Sequence, residues 1–144
     1  MASSFRFLED IALADIAFEA EGDSPEDLFR GATQALIETM ADPLTVSNSW
    51  TRHITKTDEE LEALLFDWLS EMVYWKDAAG VVFHEAPLTL KWTQGKWTLC
   101  GTLAGAPVNH HVQELRNDVK GITKHLYRVE ETGTHWRATV VVDV

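Results

Sequence analysis

Apolar and polar residues alternate with period two near the start of the chain: Ala14, Ile16, Phe18 and Ala20 interleave with Asp15, Ala17 and Glu19. Successive side chains of a strand leave opposite faces, so this pattern predicts a strand over 14–20, with a shorter one over 5–9 before it. Gly22-Asp23 turns the chain. Ser24-Pro25-Glu26-Asp27 predicts a helix start, with an N-cap hydroxyl, proline at the first helical position and acids in the first turn. Leu28, Ala32, Ala35, Leu36 and Met40 then recur at helical spacing, and Asp42-Pro43 ends the helix.

A strand is predicted over 45–55, with Val46, Trp50 and Ile54 among its apolar positions. Thr57-Asp58-Glu59-Glu60 reads as a capping box for a second helix. That helix carries a strong stripe, Leu61, Leu64, Leu65, Trp68, Leu69, Met72 and Val73, and Ala78-Ala79-Gly80 closes it. The second half turns to strands: 81–83, 88–92 and 96–103, with a hairpin turn at Gln94-Gly95. A last pair, 119–129 and 135–144, flanks Thr132-Gly133. Two helices and about seven strands predict an α+β fold, a single domain over 1–144, with both helices packed on one face of a mostly antiparallel or mixed sheet. Strands from the two ends of the chain can be neighbours in that sheet, which brings Asp15 to Asp143.

A chain of 144 residues suits one domain with a real core. No apolar run approaches a membrane span, and the first residues lack the features of a signal peptide, so a cytoplasmic protein is expected. The single Cys100 excludes an internal disulfide and a cysteine-rich zinc site. It lies in the apolar run Trp97-Thr98-Leu99-Cys100 and reads as a small buried hydrophobe. The net charge of −11 opposes strong direct binding to nucleic acid, which needs clustered cations. Arg116, Lys120, Lys124 and Arg128 come nearest to a cluster. An acidic surface suits a basic protein partner or cations, or serves solubility alone.

Candidate chemistry centres on Asp143. The run Ala138-Thr139-Val140-Val141-Val142 reads as a buried strand that leads into this carboxylate and then Val144. Carboxylates are costly to desolvate without a cation, and oxygen ligands favour a hard divalent metal. Asp15 and Asp143 at two strand ends are thus a metal-site candidate, weighed against ordinary solvated acids. The histidines carry less. His110 and His111 on a strand would face opposite ways, His53, His84 and His135 are isolated, and His125 lies near Lys120, five residues on. No His-x-x-x-His pair, nucleophile elbow or phosphate loop is present. Lys120 beside clustered acids could neutralise them or meet a phosphate, against the plainer reading of an exposed strand lysine. Of the six tryptophans, Trp68 belongs to the core and Trp92 and Trp97 can pair across the hairpin. Trp50, Trp75 and Trp136 stay open: an exposed tryptophan could anchor a protein partner, and core packing is the better reading for most.

Several separated segments together resemble the archease family over nearly the whole chain. They are Phe7-Leu8-Glu9 with Ala14-Asp15-Ile16-Ala17, the helix from Ser24 to Met40, and the leucine-rich helix from Leu61 to Met72 with its internal Asp67. The segment Val119-Lys120-Gly121-Ile122-Thr123-Lys124-His125 and the ending Val142-Asp143-Val144 complete the set. Ala12-Leu13 stands where the family has His-Thr, and Lys124 where it has tyrosine. The resemblance implies an accessory protein rather than an enzyme, one that activates a tRNA-splicing RNA ligase by promoting its guanylylation and turnover. It implies a divalent metal, calcium in the first place with magnesium or manganese as alternatives, bound by Asp15, Asp143 and Val144. It places the family's functional lysine at Lys120, with His125 in the same segment. Two alternatives stand beside this reading: a small metal-dependent hydrolase using the same acids, and a chaperone-like acidic module for nucleic-acid enzymes.

Overall fold

The period-two stretch near the start forms the strand that positions everything else. The computed structural model describes residues 2–8 and 15–144; Glu9, Ala12, Leu13 and Ala14, named above, lie outside the described residues. Strand β1 (Ser3–Leu8) runs antiparallel to β2 (Asp15–Gly22). Phe18 and Ala20 of β2 are fully buried within the core cluster.

Helix α1 (Pro25–Met40) begins as its sequence predicts. The Ser24 side chain accepts from the Asp27 N–H, and Glu26 and Asp27 occupy the first turn. The strand expected over 45–55 is displaced toward its C-terminal side. Asp42 accepts from the Leu44 N–H at 3.0 Å and caps a 3₁₀ turn over Pro43–Thr45, so β3 spans Trp50–Asp58. The expected capping box is absent for a related reason. Thr57 and Asp58 are held in the ladder opposite Thr98 and Trp97, so Glu60 takes the N-cap position without a side-chain bond.

Helix α2 (Leu61–Ala79) buries the predicted stripe and ends at Gly80, whose left-handed backbone (φ 64°) favours glycine. The buried Trp68 N–H donates to Thr33 Oγ1 at 2.9 Å, joining the two helices. Strands β4 (Val81–Glu85), β5 (Leu88–Thr93), β6 (Lys96–Pro107), β7 (Gly121–Glu131) and β8 (Trp136–Asp143) follow.

The class is α+β, as expected, but the strands divide between two antiparallel sheets of four rather than one sheet. The first has the order β1-β2-β8-β7. In the second, β6 is central, flanked by β3 on one side and by β4 and β5 end to end on the other. Both helices touch both sheets, and one core cluster fills the space between them.

Two local expectations are corrected. Cys100 is exposed, because Leu99, Gly101 and Leu103 take the buried face of β6 and alternation turns residue 100 outward. His110 and His111 lie in a turn, not on a strand, with ring centroids 4.0 Å apart. Trp92 and Trp97 do face each other across the Gln94-Gly95 turn, with centroids 5.2 Å apart. Trp50, Trp75 and Trp136 are half-buried and pack against the core.

Candidate functional site at the β2 and β8 strand ends

Antiparallel pairing of β2 with β8 sets Ala20 opposite Ala138 and Phe18 opposite Val140, and continues to Asp15 opposite Asp143. Phe18, Val140 and Val142 face the core, so the alternate positions leave the outer face. Asp15 and Asp143 therefore project from one face as direct cross-strand neighbours. Such pairs bring their Cβ atoms to about 4.5–5.5 Å, where like charges repel. Among the described residues, no lysine, arginine or histidine forms an ion pair with either acid.

The third strand opens the site. Gly121 of β7 faces Asp143 from the other side, and a Cβ built there would touch nothing within 4 Å. Just before it, the Lys120 N–H donates to the Asp143 carbonyl oxygen at 2.7 Å. Two residues on, the buried Thr123 hydroxyl has no hydrogen-bond partner. Thr123 pairs with Val141 and so shares the acids' face. Asp15 also borders a cavity of about 380 Å³ lined by Phe7, Ile16, Glu38, Arg116 and Asn117 among others.

The donors are suited to a hard cation. Two carboxylates and the nearby Val144 supply oxygen only, which matches calcium or magnesium and not zinc. Among the described residues, no group of three or more histidine, cysteine or acidic side chains could hold a metal. An ion held here would complete its shell with main-chain oxygen or water.

The fold brings Asp15, Asp143, Val144 and Lys120 to one end of the first sheet. His125 is not brought opposite either acid. It sits, exposed, where the β7–β8 register shifts between Thr123 and Arg128 and Leu126 adopts a φ of 57°. Across that irregularity, the Tyr127 hydroxyl donates to the Glu62 carbonyl at 2.6 Å and ties β7 to α2. Burial, with the charge of Glu62 adding to it, raises the Tyr127 pKa.

Sequence reasoning missed Lys76. Its ammonium contacts Asp118 Oδ1 and Asp77 Oδ1, both at 2.7 Å, and donates to the Val119 carbonyl at 2.5 Å. Burial works to lower its pKa, but the bonds to Asp118 and Asp77 outweigh this and raise it. The hydrogen bond from Lys76 holds the Asp118 carboxyl below its usual range, with Lys120 contributing last. A signal was present in the spacing: Lys76 continues the apolar stripe of α2 after Leu65, Leu69 and Met72.

Two four-stranded antiparallel sheets sharing two helices, with opposed acids at a strand end, define a small single-core α+β domain built around an acidic outer site. The chain belongs to the archease protein family (MTH1598/TM1083), whose model matches residues 5–144. It is 30% identical over 141 residues to the protein archease of Methanosarcina mazei, covering 97% of this chain and 95% of that one. It is 32% identical over 132 residues to that of Methanopyrus kandleri, covering 91% and 94%. The solution structure of Methanobacterium thermoautotrophicum protein 1598 superposes with a TM-score of 0.82 at 26% identity, covering 98% of this chain and 99% of that one. The crystal structure of a Thermotoga maritima archease, described as a possible chaperone, shares the fold with a TM-score of 0.63 at 22% identity, covering 92% and 93%. No helix among the described residues is long and apolar enough to cross a membrane.

Proposed function

We propose that this protein is an accessory factor that activates a tRNA-splicing RNA ligase, promoting its guanylylation and turnover. The observation that carries the reading is the pairing of Asp15 with Asp143, with Lys120 bonded to the same residue. Asp15 and Asp143 hold a divalent cation through their carboxylates, with Val144 contributing main-chain or terminal oxygen. When bound, the cation supplies positive charge at the end of an otherwise acidic domain. The Lys120 main chain is bonded to Asp143, and its side chain adds a cationic group to the same end of the domain. The ligase docks at this end, and binding favours the guanylylation-competent state of its active site by differential affinity.

The test is multiple-turnover ligation by a purified RNA ligase with GTP and this protein, with and without chelator. Wild-type protein is expected to raise turnover only when divalent metal is present, and Asp15→Ala or Asp143→Ala to remove the effect. Unchanged turnover with Asp15→Ala would overturn the reading.

A chaperone-like binding module is the second reading, favoured by a separate observation. Leu44 and Val112 are 87% and 68% exposed. The bonds from Asp42 N–H to the Glu114 carbonyl and from Glu114 N–H to Thr45 Oγ1 hold their two loops together. On this reading, partner binding survives chelation and is lost with Leu44→Ser and Val112→Ser.

A further inference from the structure

Lys76 ends the buried stripe of α2 with a charge. Its side chain is only 8% exposed, whereas those of its partners Asp77 and Asp118 are 64% and 82% exposed. A buried ammonium is costly unless its donors are satisfied. Here two of its three contacts lie on the chain leading into β7: the Asp118 carboxylate and the Val119 carbonyl. Val119 itself is fully buried.

The Val119 carbonyl and the Lys120 N–H belong to one planar peptide group. That peptide is held at both ends, its carbonyl by Lys76 and its N–H by the Asp143 carbonyl. A cation on the carbonyl polarises the group and strengthens the N–H as a donor. The contact therefore runs unbroken from α2 through this peptide to Asp143, the residue opposite Asp15.

We propose that Lys76 is a positioning residue for the strand-end site: by gripping the peptide between Val119 and Lys120 it sets where Lys120 and Asp143 stand relative to Asp15. The inference rests on the reading of Lys120 and the acid pair as functional, but its structural half can be measured without any partner. In wild-type protein the Lys120 amide is expected to be protected from hydrogen exchange. In Lys76→Met it should exchange about tenfold faster or more, while amides in the middle of the β2–β8 ladder keep their wild-type rates. Asp118→Asn changes an exposed position and should accelerate the same amide by a smaller factor, about threefold. An unchanged Lys120 rate in both variants, or equal acceleration across the whole ladder, overturns the proposal.

The functional half uses a double-mutant cycle in ligase turnover. The combined loss from Lys76→Met and Lys120→Ala should be smaller than the sum of the two single losses, because part of the effect of Lys76 passes through the Lys120 side chain. Additive losses overturn the proposal. If Lys120→Ala alone leaves turnover intact, the ligase reading of Lys120 fails, and the exchange rates then decide the role of Lys76.

Discussion

Asp15 and Asp143 stand directly opposite each other on the outer face of the β2–β8 ladder, with the bare backbone of Gly121 on the far flank of Asp143. Opposed like charges of this kind are destabilising by about 0.2–1 kcal/mol. In chelator, Asp143→Asn should therefore melt at or slightly above the wild-type temperature, by about 1–3 °C. Saturating calcium should reverse the order, since a ligand at a hundred times its dissociation constant stabilises by about 2.7 kcal/mol. Scanning calorimetry of both proteins, with calcium and with chelator, checks the crossover; a difference between the two proteins that calcium leaves unchanged would exclude a cation held by this pair.

The Lys76–Asp118 contact predicts a pH dependence whose sign follows from the direction of each shift. The Asp118 carboxyl is depressed below its ordinary 3.8, so its contribution is present above that value and disappears as pH falls through the lower folded value. Because Asp118 is largely in water, the contribution is small, about 0.5 kcal/mol. Urea unfolding of wild type and Asp118→Asn should differ by that amount at pH 7 and converge below the ordinary range of Asp118. Lys76 is raised above 10.5, so its contribution holds below that value and is lost as pH rises through the higher folded value.

Removing the acceptor of the buried Trp68 N–H isolates one hydrogen bond between the helices. Thr33→Val keeps shape but leaves the indole donor, 2.9 Å from Thr33 Oγ1 in the native protein, without a partner. A buried unsatisfied donor costs about 1–3 kcal/mol. The urea midpoint should fall accordingly, with the slope of the transition unchanged.

Neighbouring positions on β6 should respond unequally. A Cβ added at Gly101 would lie 2.5 Å from Cη2 of the buried Trp68, so Gly101→Ala should destabilise by about 1–3 kcal/mol. Cys100 faces solvent, and Cys100→Ser should stay within about 0.5 kcal/mol of wild type. Equal losses at the two positions in thermal unfolding would contradict the assignment of faces on β6.

Local chemistry made much of this fold legible. The helices were readable because capping by Ser24, the left-handed stop at Gly80 and the 3.6-residue stripe of α2 act within a few residues of each other. The Gln94-Gly95 hairpin was readable for the same reason. Where a longer-range bond competes with a local signal, the element boundary moves. The cap at Asp42 opens a 3₁₀ turn ahead of β3, and the ladder to β6 pulls Thr57 and Asp58 away from the start of α2.

Residue types and their periodicity are enough to give the apolar positions, the two helices with the cap at Ser24 and the stop at Gly80, and strands at both ends of the chain that carry acids at 15 and 143. The division into two sheets, the register that sets the expected neighbours Asp15 and Asp143 directly opposite each other, and the reach of Lys76 to the Val119 carbonyl arise in the folded chain. The difference is one of range. Periodicity and capping express forces between residues a turn or two apart, whereas sheet register and the satisfaction of a buried charge depend on partners brought together from distant parts of the chain.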